Sequence, residues 1–302
     1  PLRSPHPSLP DAAVTVSRRR FLARAIAASA LAFAPFERLA ASVRFRSDPF
    51  QLGVASGEPT ADGFVLWTRI APEPHQPEWL GASVYEVGWE VATRPDFAEV
   101  TARGTALARP HLAHAVHVEV GGLAPGREYF YRFRLGRYAS AIGRAVTTPA
   151  AGAPVERLRF GFSSCAHYEQ GFFSAYRYMA DDGLDLMLTL GDYIYEYSGG
   201  QQRVGQSHVD GPFTPDDYRR FYPQYRLDPD LRAAHAACPW LLVWDDHEVE
   251  NDYAGLTSEL ELCGGERARA AFLARRTAAY KAWFEHMPVR PSRLLPGGAM
   301  KL

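Results

Sequence analysis

Three short apolar runs, each ending in side chains that ligate metals or move protons, constrain the fold of this chain more than any other feature. The first, Leu158-Arg159-Phe160-Gly161-Phe162, leads into Ser163-Ser164-Cys165-Ala166-His167. The second, Leu184-Asp185-Leu186-Met187-Leu188-Thr189-Leu190, leads into Gly191-Asp192-Tyr193-Ile194-Tyr195-Glu196. The third, Trp240-Leu241-Leu242-Val243-Trp244, leads into Asp245-Asp246-His247-Glu248-Val249-Glu250-Asn251-Asp252. Short apolar runs bounded by turn residues read as buried strands. Residues 172–181 have helical character, and strand, helix, strand with a right-handed crossover predicts a parallel sheet covered by helices on its faces. In such sheets functional groups gather beyond the carboxyl ends of the strands. Cys165, Asp192 and Asp246 all stand at such ends.

The third run carries the strongest chemical signal. Asp245, Asp246, Glu248 and Glu250 put four carboxylates within six residues. At neutral pH they repel one another unless a cation neutralises them, so the cluster has a physical need for metal. An isolated Gly-Asp after a strand would be a helix cap, but with the third segment beside it Asp192 reads as a ligand facing the same crevice.

Ahead of this region, residues 48–148 contain short β-branched and aromatic runs, several alternating, such as Val84-Tyr85-Glu86-Val87-Gly88-Trp89-Glu90-Val91 and Glu128-Tyr129-Phe130-Tyr131-Arg132-Phe133-Arg134. Turn residues separate them. The pattern predicts an all-β fibronectin- or immunoglobulin-like sandwich with one solvated face per sheet. Tyr129 or Tyr131 is expected to form a corner in which the hydroxyl bonds back to the main chain. His111, His114 and His117 alternate with small apolar residues, are expected on a strand's outer face, and are assigned no metal. Residues 149–157, rich in proline and small side chains, read as a linker, and residues 158–302 as a partial α/β domain. The fold class is therefore multidomain: the sandwich, then an α/β domain.

Residues 1–42 hold Ser17-Arg18-Arg19-Arg20-Phe21-Leu22 followed by an alanine-rich apolar run, the form of a twin-arginine export signal. That run is too short to span a bilayer, so no stable membrane anchor is expected. The expected partner at this end is the twin-arginine machinery, with a monomer in the periplasm or outside the cell. With 33 basic and 34 acidic side chains, the net charge of -1 leaves no electrostatic footprint for nucleic acid. Cys165, Cys238 and Cys263 show no zinc-type or redox spacing. Export leaves one bridge, Cys238 to Cys263, open.

The three strand-end blocks resemble the calcineurin-like metallophosphatase pattern, and Ser164-Cys165, Gly191-Asp192-Tyr193-Ile194-Tyr195-Glu196 and Trp244-Asp245-Asp246-His247-Glu248-Val249-Glu250-Asn251 resemble more closely the PhoD-type alkaline phosphatase family. The sandwich and the export signal fit that layout. The resemblance implies a secreted phosphoester hydrolase in which two metals activate water for in-line attack at phosphorus. It further implies Fe3+ held by Cys165 and Tyr195, Asp192 bridging to Ca2+, Asp246 and Asn251 on the calcium side, and His247 either with Asp246 at the reacting atoms or as a ligand itself. Members of the family take further ligands from later strands, and no such block follows Met287-Pro288-Val289-Arg290-Pro291. The chain is therefore expected to be an incomplete frame with part of its metal shell absent and apolar sheet surface exposed. Two other readings compete: an exported, non-catalytic protein that holds calcium for structure or binds a surface, and a phosphodiesterase or phospholipase-like relative. In the latter, Tyr193, Tyr197, Arg203, Tyr218 and Arg219 would line the pocket.

Overall fold

The computed structural model describes residues 43–76, 78–197, 214–258, 265–296 and 299–301. The twin-arginine segment, Arg203 and Cys263 lie outside these residues, as does the bridge that Cys263 would make; Cys165 and Cys238 are free thiols.

Two sheets organise the described residues. The first has the order β5 (Ala115–Val120), β2 (Gly63–Arg69), β1 (Val54–Thr60), β11 (Pro239–Val243), β10 (Leu186–Leu190) and β9 (Phe160–Ser163). Its β1, β2 and β5 are antiparallel, whereas β1, β11, β10 and β9 run parallel. The junction is the pairing of Ser56 with Pro239 and of Gly57 with Trp240. A Cβ at Gly57 would collide with the Pro288 carbonyl and lie 2.8 Å from that of Trp240, so only glycine lets the three backbones meet. The second sheet is antiparallel: β4 (Val100–Ala108), β3 (Tyr85–Ala92), β6 (Glu128–Leu135) and β7 (Tyr138–Ala139), with β8 (Gly143–Val146) also on β6.

The sheets share a core in which Val54, Phe64, Leu66 and Val118 meet Val87, Val91, Tyr131 and Phe133. Strand β4 alternates, with one face to solvent, as expected for an antiparallel edge. Strand β2 does not: every residue from Gly63 to Arg69 is buried. The expectation of a solvated face per sheet fails here because Trp67 and Arg69 turn toward the helices, where Trp67 Nε1 donates to the Glu285 carbonyl at 3.1 Å. His117 is corrected for the same reason. Its Nε2 lies 3.0 Å from the carbonyls of Phe284 and Met287 and its ring stacks on Phe284, while His114 is buried against the Ser83 carbonyl. Of the two corner candidates Tyr129 forms the corner, its hydroxyl accepting from Ala124 N at 2.9 Å.

Four helices complete the described fold: α1 (Ser174–Asp181), α2 (Pro215–Arg226), α3 (Pro229–Ala237) and α4 (Gly265–His286). Thr214 and Asp217 close a reciprocal capping box on α2 with Pro215 at its first position, and Asp228 accepts from Asp230 N and Leu231 N to start α3. These helices bury Met187 and Trp240 on one face of the parallel strands. The opposite face, carrying Phe160, Phe162, Leu190, Leu241 and Val243, is exposed, so among the described residues β9, β10 and β11 are covered on one side only.

Candidate metal centre

Paired strands β10 and β11 end in register at Leu190 and Val243, and the loops that leave them carry the site. Gly191 adopts φ +95°, and a Cβ there would lie 2.7 Å from Asp245 N, so glycine lets the two loops touch. Asp192 at φ +54° and Cys165 at φ +55° are also left-handed, a conformation that costs a non-glycine residue about 1 kcal/mol or more and persists only where its surroundings demand it. Glu248 is one such demand. It is fully buried, and its carboxylate accepts from Tyr193 N at 2.5 Å, Asp245 N at 2.9 Å and Asp192 N at 3.1 Å. The first loop joins them through Ala166 N, which donates to the Asp192 carbonyl at 3.3 Å.

Asp192, Asp246 and His247 each bring a ligand atom within 4.8 Å of the others. Asp192 Oδ2 accepts from the Tyr195 hydroxyl at 3.0 Å, while Oδ1 is buried without a hydrogen bond. Asp246 Oδ2 accepts from Asp252 N at 2.6 Å. His247 Nδ1 lies 2.9 Å from Glu196 Oε2, and Glu196 Oε1 accepts from Asn251 N at 2.7 Å. The Tyr195 ring is flanked by His167 at 4.5 Å and His247 at 4.2 Å, and its hydroxyl neighbours the Cys165 thiol.

The electrostatics follow from this crowding. Burial, then the Asp192 carboxylate, hold the Tyr195 hydroxyl well above its ordinary range. Burial opposes a proton on His247, yet the hydrogen-bonded Glu196 and the nearby Asp192 and Asp246 prevail and raise its pKa. Burial pushes the Glu248 carboxyl up to about 7 against the three N–H groups it accepts. Asp245 is raised as well, by burial and then by Asp246 and Asp192. An unpaired buried carboxylate oxygen beside a second carboxylate and an imidazole is a donor set that suits a cation.

Comparisons with known proteins identify the family. Residues 160–302 match the family described as PhoD-like phosphatase, and residues 37–149 match the PhoD-like phosphatase, N-terminal domain. Alkaline phosphatase D of Bacillus subtilis (strain 168) is 46% identical over 267 residues, which is 87% of this chain and 45% of that protein. The chain belongs to the PhoD-like phosphatase family. A solved structure of PhoD is similar with a TM-score of 0.81 and 46% identity, over 86% of this chain and 50% of that one. The chain thus spans about half the length of the relatives it matches. Among the described residues no helix is long and apolar enough to cross a membrane.

For this PhoD-like chain, the residues singled out in the sequence separate into three groups. Asp192, Asp246 and His247 converge, and Cys165 and Tyr195 stand next to them. Asn251 offers Glu196 its backbone N–H, while its side-chain Nδ2 donates to Asp252 at 3.0 Å. Of the pocket residues expected for a phosphodiesterase-like relative, Tyr197 packs on His247, but three others serve the core. Tyr193 bonds His235, Tyr218 donates to the Val249 carbonyl, and Arg219 pairs with Glu285. The acidic cluster is also less uniform than its sequence implied. Glu248 is satisfied by backbone N–H groups and Glu250 by Arg275 and Ser258, and Asp245 is exposed and outside the set, which leaves Asp246 as the acid of that run in the converging set. Sequence reasoning gave no role to Glu196 or His167 and took Glu248 only as one acid of the metal-seeking cluster; the available signal was their position inside the three strand-end blocks.

Proposed function

We propose that this chain is a metal-dependent phosphoester hydrolase, acting on a phosphomonoester or phosphodiester, with residues 158–302 carrying the metal centre and residues 48–148 its scaffold. The observation that carries the proposal is the convergence of Asp192, Asp246 and His247 around a buried carboxylate oxygen that lacks a partner. Cys165 and Tyr195 would hold Fe3+, whose high charge thiolate and phenolate stabilise, and Asp192 would bridge to Ca2+ beside Asp246 and Asn251. When bound, such a pair supplies Lewis-acid activation of water for in-line attack at phosphorus. Glu196, on Nδ1, orients the His247 ring and leaves Nε2 to pass a proton to the departing alkoxide. Tyr195 must give up the proton it now donates to Asp192 before its oxygen can act as a ligand. Export by the twin-arginine route to the periplasm or medium completes the proposal, resting on residues 17–35.

The test is metal content measured together with turnover of p-nitrophenyl phosphate and bis-p-nitrophenyl phosphate, for the wild type and His247→Ala. Where the wild type holds iron and calcium and cleaves one of the esters, His247→Ala is expected to lose about 100- to 10,000-fold in turnover. Retained turnover in His247→Ala removes the proton-transfer role. Bound calcium with no turnover in either protein favours a structural calcium site instead.

A further inference from the structure

We propose that Glu248 is the positioning residue of the metal centre, its carboxylate setting the separation between the loop that carries Asp192 and the loop that carries Asp246. This rests on the metal assignment above and extends it to a residue that ligates nothing. The carboxylate takes one N–H from Asp245 on the β11 side and two, from Asp192 and Tyr193, on the β10 side. Regular pairing between the two strands stops at Leu190 and Val243, so beyond that point no sheet hydrogen bond spaces the chains. Glu248 takes over that task where Gly191 and Asp245 pass in contact.

A buried carboxylate is costly unless its lone pairs are used, and three charge-assisted hydrogen bonds use them. The same bonds tie the left-handed Asp192 backbone in place, which fixes where the carboxylate of Asp192 is directed. No neutral isostere reproduces this. A glutamine has one acceptor oxygen, so in either orientation at least one of the three N–H groups would face an amide N–H. Separating the loops by a fraction of an ångström moves one metal-ligating carboxylate away from the other while leaving both present.

Calorimetric titration of the 302-residue protein with Ca2+, for the wild type, Glu248→Gln and Met187→Ala, tests the proposal. Met187 is fully buried in the core beneath the same strand, so its loss destabilises the protein without touching either loop. Glu248→Gln is expected to bind Ca2+ about 10- to 100-fold more weakly, the usual cost of losing a partner behind a metal ligand, while Met187→Ala stays within about twofold of the wild type. Equal affinity in Glu248→Gln and wild type overturns the proposal, as does an equal loss in Met187→Ala, which would make Glu248 merely structural. A wild type that binds no cation defeats the metal assignment, and amide exchange then judges the clasp alone. The amides of Asp192, Tyr193 and Asp245 in the wild type must exchange slowly and at matched rates. A fast, independent Asp245 amide overturns the proposal whether or not Glu248→Gln folds.

Discussion

Strands β2 and β10 are comparably apolar but meet opposite surroundings. All of Gly63–Arg69 is buried, whereas Leu186–Leu190 alternates, with Met187 at 0% exposure and Leu190 at 52%. The difference lies in what each sheet face meets. Strand β2 sits between the second sheet, through Phe64 and Leu66, and the helical layer, through Trp67. Strand β10 has helices on one side and solvent on the other. The left-handed Asp192 and Cys165 and the unpaired Asp192 oxygen lie in the parallel half, where the loops are held by side chains rather than by the sheet.

The largest effect should come from the doubly covered half. Trp67→Ala removes a fully buried indole, its bond to the Glu285 carbonyl and the ring beneath the Arg226 guanidinium. A loss of about 3–5 kcal/mol is expected, read as a lowered urea midpoint with an unchanged slope. A loss under about 1 kcal/mol would show that β2 does not tie the sheet to the helices.

That tie is also where sequence reading stops. The three strand-end blocks and the Tyr129 corner were legible because each is local: an apolar run followed by a turn and a polar cluster, or an aromatic strand after Pro125-Gly126. The pairing of Ser56 and Gly57 with Pro239 and Trp240 was not, because periodicity specifies which face is apolar and says nothing about a partner more than 180 residues away. His117 was misread for this reason, since the carbonyls it meets belong to α4 and the turn after it. In the site, residue type pointed to the acids but could not sort them. Glu248 is fully buried and takes three backbone N–H groups, whereas Asp246 is half-buried and takes one, from Asp252.

A smaller, pH-dependent effect comes from the histidines at the same junction. Burial lowers the pKa of His117 to about 4 and holds His286 well below the ordinary value. Both are neutral in the folded protein but take up protons in the unfolded chain below about pH 6.5. Their contribution to stability is therefore complete above that pH and is lost as the pH falls, for His117 until about 4. In urea titrations between pH 7.5 and 4.5, His117→Gln should have a shallower acid slope than wild type, by at most one proton or about 1.4 kcal/mol per pH unit. Identical slopes would mean that His117 stays solvated and that its carbonyl contacts do not form.

The smallest effect, that of Leu190→Ala, is the sharpest probe of the comparison, because it is read against Met187→Ala on the same strand. Met187 and Leu190 lie on opposite faces of β10, so each reports on the layer it meets. Met187→Ala should cost about 2–5 kcal/mol, as expected for a filled core position. Leu190→Ala should stay within about 0.5 kcal/mol, since most of that side chain is already in water. The bare face formed by Phe160, Phe162, Leu190, Leu241 and Val243 should in turn bind an apolar dye such as ANS. Phe162→Ser, at the most exposed of these positions, should reduce that binding while leaving the urea midpoint unchanged. If Leu190→Ala costs as much as Met187→Ala, the outer face is covered in solution, and the contrast between the two halves reduces to the difference between antiparallel and parallel pairing.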